Sequence, residues 1–136
     1  VNDEFAEGLE DLEQFSHIYL VFHMHRSPGV KLKVKPYLDD QTRGLFSTRG
    51  PWRPNPIGFS VVRLLGRQEN VLDVENVDIL DGTPLLDIKP YVARFDTRED
   101  VASGWQDKVD EQTAGRRGLR EYSPDKSADK PEEDAP

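Results

Sequence analysis

Two proline-studded stretches carry the residues best suited to chemistry. Residues 44–58 read G-L-F-S-T-R-G-P-W-R-P-N-P-I-G, and residues 81–91 read D-G-T-P-L-L-D-I-K-P-Y. In the first, Pro51, Pro54 and Pro56 fix three φ angles and remove three backbone donors. Each also drives its predecessor (Gly50, Arg53 or Asn55) towards extended geometry. Arg53 and Asn55 therefore stand two positions apart on a stiff extended run, which sends both side chains to the same side. Such a segment loses little freedom when a ligand arrives. With Arg49 just upstream, the stretch offers guanidinium groups that grip a carboxylate or a phosphate in bidentate fashion. The plain alternative is a proline-rich surface turn bearing ordinary arginines.

The second stretch opens with a turn signature, Asp81-Gly82-Thr83-Pro84. Gly82 permits a positive φ, and the amides beside it can hold the edge of a ring or a hydroxyl. Asp78, Asp81 and Asp87 cluster within ten residues and offer acceptors for ribose hydroxyls, or a general base. His23 and His25 form H-x-H at strand spacing, both rings on one face. With a carboxylate that would be a metal site, but only His17 remains as a further histidine. No metal is expected. There is no phosphate-loop glycine motif, no G-x-S-x-G elbow and no dinucleotide fingerprint.

The elements that must position these loops come from a modest chain. Its 136 residues allow one domain. Hydrophobic content of 35% against 32% charged permits only a small core. The absence of cysteine excludes disulfides, thiolate metal sites and a cysteine nucleophile. No apolar run approaches the roughly 18 residues that span a bilayer, and the first residues do not read as a signal peptide; a cytoplasmic protein with no membrane partner is expected. The net charge of −8 is unevenly spread. Residues 1–15 carry six acids and no base, whereas residues 26–53 carry seven Lys/Arg against Asp39 and Asp40. That local basic patch, rather than the total, is the electrostatic footprint to look for in a nucleic-acid-binding chain; a solvated charged face accounts for it equally well.

Residues 3–15 space Phe5, Leu9 and Leu12 as a short amphipathic helix. The run H-I-Y-L-V-F-H at residues 17–23 predicts a central strand, apolar on both faces. Residues 30–34 alternate with lysines as a half-exposed strand, and residues 36–43 read as a loop. Strands over 57–65 and 71–77 form a hairpin, and 85–88 a further short strand. A helix is predicted over 101–112, weakened by Gly104. Residues 123–136, acidic and free of aromatic and β-branched side chains, read as a disordered tail after a domain spanning 1–122. The fold class expected is mainly β: a single β-barrel-like, non-Rossmann domain with short peripheral helices.

The paired motifs F-S-T-R-G-P-W-R-P-N-P-I-G at residues 46–58 and D-G-T-P-L-L-D-I-K-P-Y at residues 81–91 resemble those of the TsaA-like (YaeB) family, as does F-S-H-I-Y-L-V-F-H at residues 15–23. Its characterised members, called TrmO, are S-adenosylmethionine-dependent tRNA methyltransferases. The resemblance implies a non-Rossmann β-barrel, a homodimer, S-adenosyl-L-methionine as cofactor, and methylation of the exocyclic nitrogen of threonylcarbamoyl-adenosine beside the anticodon of a tRNA. By position, His23, Met24, Arg49, Phe59 and the turn containing Asp78, Asp81, Gly82, Thr83 and Pro84 fall where the family contacts the cofactor. Asp81 and Asp87 are the candidate catalytic bases. Arg53, Asn55, Lys31, Lys33 and Lys35 are the candidate contacts to the tRNA anticodon loop. Family members also carry an N-terminal strand and a proline-glutamine segment that do not precede Val1 here, so that strand is expected to be missing from this sequence. This chain has Arg49-Gly50 where many members have Arg-Ser. A non-catalytic tRNA- or nucleotide-binding module, and a methyltransferase with another acceptor, are the competing readings.

Overall fold

The computed structural model describes residues 1–112. Residues 113–122 of the expected domain, and the expected tail over 123–136, lie outside the described residues.

The molecule is organised on strand β1, His17–His23, which is hydrogen-bonded on both sides. One neighbour is β4, Ile57–Gln68, and the other is β6, Leu85–Pro90. Beyond β4 lies β5, Val71–Glu75, giving the order β5-β4-β1-β6 with every pairing antiparallel. Two short strands, β2 (Lys33–Val34) and β3 (Arg43–Gly44), form a separate ladder. The expectation of a β-barrel is overturned: β5 and β6 are the two edges of an open sheet and do not pair with each other. Closure needs enough strands to enclose a filled interior. Four strands here cover only one face.

Burial alternates along β1 rather than being continuous, which corrects the reading of a strand apolar on both faces. Ile18, Leu20 and Phe22 are buried with Val62 and Leu64 of β4, while His17, Tyr19, Val21 and His23 are half-exposed on the other face. Met24, Leu12, Leu72, Val74, Ile79 and Ile88 pack around the buried cluster. Side chains such as the fully buried Ile18 and Val62 contribute about 1.5–3 kcal/mol each.

Strands β4 and β6 run past the expected 57–65 and 85–88, while other elements are shorter than the sequence predicts. The N-terminal helix is two 3₁₀ segments, Asp3–Leu9 and Leu12–Gln14, broken where Asp11 takes φ of 65°. The strand expected over 30–34 is only β2, and its partner β3 arises in what reads as a loop. The helix expected over 101–112 is the 3₁₀ turn Gly104–Lys108, with Gly104 at φ of 62°. A single α-helical turn, α1 (Ala93–Asp96), follows β6, its Val92 N–H held by Asp96 Oδ2 at 2.8 Å.

Candidate functional site

Both loops end at the same place because their strands flank one strand. In register, His23 faces Ile57, the first residue of β4, and Phe22 faces Leu85, the first residue of β6. The loop preceding each strand must therefore arrive at the C-terminal end of β1. Backbone bonds fasten both there. His23 N–H donates to the Pro84 carbonyl at 2.9 Å, and Met24 N–H donates to the Pro56 carbonyl at 2.7 Å. Prolines are apt at these points, since each supplies an acceptor while demanding no partner for an N–H.

On the half-exposed face a row of side chains crosses the strands. The Arg49 guanidinium lies 5.0 Å from the centroid of Phe59. Phe59 is 6.4 Å from Tyr19, and Tyr19 is 5.7 Å from Tyr91. Val21 is paired with Phe59 on one side and with Asp87 on the other. Arg49 has no ion-pair partner among the described residues. A cation held on an aromatic face without an opposing carboxylate is a ready receptor for an anionic group.

The second loop makes the turn that its sequence predicts. Thr83 N–H and Oγ1 both donate to the Leu80 carbonyl, at 3.2 and 2.6 Å, and Gly82 takes φ of 77°, as the third position of a type II turn requires. Asp78 and Asp81 are exposed and make no hydrogen bond among the described residues. Asp87 is bonded to Lys89 at 2.9 Å and accepts from the Ile88 N–H. The Lys89 hydrogen bond, outweighing partial desolvation, holds the Asp87 carboxyl below the usual carboxylate range.

Among the predicted contacts for a second substrate, Arg53 is half-buried and tied into its own loop. Its Nη1 donates to the carbonyls of Thr48 (2.8 Å) and Gly50 (3.4 Å), and its guanidinium lies 5.4 Å from the Phe46 centroid. Asn55 is exposed. Tight bonds from Arg53 N–H to Pro51 and from Ile57 N–H to Asn55 interrupt the extended run, so the two side chains meet different surroundings. Lys31 sits 4.0 Å above the Trp52 ring, while Lys33 and Lys35 are exposed. His23 and His25 rings are 6.5 Å apart, and no group of three His, Cys, Asp or Glu among the described residues is close enough to hold a metal. No helix among the described residues is long and apolar enough to cross a membrane.

The buttresses of the first loop carry no local sequence signal. Trp105 Nε1 donates to the Ser47 carbonyl at 2.9 Å, and Ser27 Oγ donates to the Pro51 carbonyl at 2.6 Å, pinning the first loop from outside. Tyr19 and Tyr91 were likewise invisible as a pair. Partial burial, aided by the Asp96 carboxylate, holds the Tyr19 phenol above its ordinary value.

Residues 1–97 match the family described as the tRNA-methyltransferase O N-terminal domain. The chain is 59% identical over 105 residues to a probable S-adenosyl-L-methionine-binding protein of Pyrococcus abyssi, covering 77% of this chain and 57% of that protein. It is 40% identical over 97 residues to the tRNA (adenine(37)-N6)-methyltransferase of Homo sapiens, covering 69% of this chain and 22% of that enzyme. A crystal structure of TrmO superposes with a TM-score of 0.62 at 47% identity, over 73% of this chain and 43% of that one. The chain thus spans well under two thirds of the length of each of these three proteins.

Proposed function

The chain belongs to the tRNA-methyltransferase O N-terminal domain family, and on that premise we propose that it binds S-adenosyl-L-methionine and methylates the exocyclic nitrogen of threonylcarbamoyl-adenosine beside a tRNA anticodon. The observation that carries the reading is the double fastening of the two loops to His23 and Met24. It brings the Arg49–Phe59 pair and the turn around Asp81 to one end of the sheet. The donor set suits the cofactor. Arg49, uncommitted to any carboxylate, takes the amino-acid carboxylate; Asp78 and Asp81 accept from ribose hydroxyls; the Gly82 and Thr83 segment and the flank of Met24 border the base. When bound, the sulfonium supplies an electrophilic methyl group.

The chain's own part is positioning, which converts a bimolecular displacement into an effectively unimolecular one. The acceptor nitrogen carries a carbamoyl group and is a poor nucleophile, so a carboxylate to receive its proton is useful. Asp81 and Asp87 are the candidates. Asp87 is ionised but engaged by Lys89 and the Ile88 amide, which leaves Asp81 the better placed. Lys31, Lys33, Lys35, Arg53 and Asn55 contact the anticodon loop, and a homodimer belongs to the same proposal, since Ile57 and Val61 leave apolar surface on the outward face. The test is incubation with the methyl donor and unmodified or threonylcarbamoylated tRNA, followed by mass spectrometry of nucleosides. One added methyl on the threonylcarbamoyl-adenosine alone supports the proposal. Donor binding without methylation reduces the chain to a binding module, and a methyl on another nucleoside reassigns the acceptor.

A further inference from the structure

The first loop carries a surface outside the proposed cofactor contacts. Phe46 is 71% exposed although it sits beside the fully buried Leu45. One face of its ring is backed by the Arg53 guanidinium, which is itself bonded to the Thr48 and Gly50 carbonyls and cannot swing away cheaply. The Trp52 ring of the same loop is covered by the Lys31 ammonium. The same patch is continuous through the backbone. Lys31 N–H donates to Trp52 O, Leu45 N–H donates to Leu32 O, and Lys33 pairs with Gly44. Leu32, 69% exposed, and the exposed Lys33 lie between the two rings' segments. Arg26, Lys31, Lys33, Lys35, Arg49 and Arg53 have no ion-pair partner among the described residues; Arg43 alone in this stretch is paired, with Asp39.

Phe46 is the most exposed large hydrophobic side chain among the described residues, and Arg53 backs its ring. Aromatic faces interleaved with unpaired cations are how single-stranded nucleic acid is held, bases on the rings and phosphates on the cations. We propose that Phe46 is a stacking platform for an unpaired nucleobase of an RNA loop, with Arg53 as its fixed backing and Lys31 and Lys33 flanking the phosphates. This deepens the tRNA reading above and rests on it. It assigns to Phe46 a contact with a base, whereas the lysines contribute only sequence-independent attraction.

The experiment measures binding of a labelled stem-loop RNA with an unpaired loop, beside a fully paired duplex, at several salt concentrations. Phe46→Ala is expected to weaken stem-loop binding by about fivefold to a hundredfold, the range for removing one base–aromatic stack. Its salt slope and its duplex affinity should stay unchanged, since no charge is lost. Phe46→Tyr should bind like the parent and Phe46→Leu like the alanine variant, which separates a π face from mere bulk. Lys33→Ala should instead flatten the salt slope on both RNAs. Equal stem-loop binding by Phe46→Ala and the parent overturns the stacking role while leaving the tRNA reading intact. Loss of S-adenosylmethionine affinity parallel to the loss of RNA binding also overturns it, because Phe46 then acts through the loop's shape. A parent chain that binds neither RNA removes the underlying reading as well. If Phe46→Ala instead converts a dimer to a monomer in sedimentation, the platform is a surface between copies and the proposal fails.

Discussion

Gly58 of β4 stands opposite Phe22 of β1 so closely that a Cβ placed on it would lie 2.4 Å from Phe22 Cε2. The glycine at the end of P-N-P-I-G is thus a packing requirement, set by a ring on the neighbouring strand rather than by an unusual backbone angle. Gly58→Ala must displace Phe22 or spread β1 from β4. We expect a loss of about 1–3 kcal/mol, read by chemical denaturation. Phe22→Leu in the same background should recover part of it, and a Gly58→Ala chain as stable as its parent would contradict the packing.

The Arg49–Phe59 pair makes a graded prediction for the donor molecule. Under the proposed assignment Arg49→Ala removes the charge-assisted partner of its carboxylate and should weaken S-adenosylmethionine binding about tenfold to a hundredfold in calorimetry. Phe59→Leu only removes the ring beneath the guanidinium, and an effect of about twofold to fivefold is expected. The reverse ranking would assign Phe59, not Arg49, the dominant contact.

The first loop is braced by an indole 58 residues away in sequence. Trp105→Phe keeps the ring and deletes the bond to the Ser47 carbonyl, at a cost of about 1 kcal/mol. Hydrogen exchange should quicken at Thr48, whose N–H is bonded to Leu45, while amides of β5 keep their protection. Uniform quickening would mean a global rather than a local effect.

Asp39 gives the pH dependence its sign. The Gln41 N–H and the Arg43 guanidinium, 2.6 Å away, hold its carboxyl below the ordinary value. A depressed folded-state value means that this contact stabilises the fold at pH above the ordinary aspartate range and is lost as acid titrates through the lower folded value. In melts between about pH 6 and pH 3, the parent should lose more stability than Asp39→Asn. Parallel curves would show that the ion pair contributes nothing measurable, as many exposed pairs do.

The parts legible in the sequence are those fixed by neighbours in the chain. The β-branched and aromatic run His17–His23 forms the central strand, and D-G-T-P forms its turn because Gly82 tolerates the angle required. Openness of the sheet was not legible, since it depends on whether β5 and β6 meet, and no local pattern encodes that. The N-terminal segment has helical spacing, but the left-handed Asp11 divides it. Arg53 looks free on a stiff loop; only the folded loop shows its guanidinium committed to Thr48, Gly50 and Phe46. Phe46 itself has no sequence signal as a site, because exposure of an aromatic ring is a property of the fold.

The claim that two loops close on one end of β1 around the methyl donor is tested most directly by titrating S-adenosylmethionine into the isotopically labelled chain and following its amide resonances. The amides of His23, Met24, Arg49, Phe59, Asp81, Gly82 and Thr83 should shift together along one binding curve, with Leu72 and Val74 of β5 unmoved. Shifts confined to one loop, or centred instead on the cleft lined by Asp39, Arg43, Trp105 and Lys108, would contradict it.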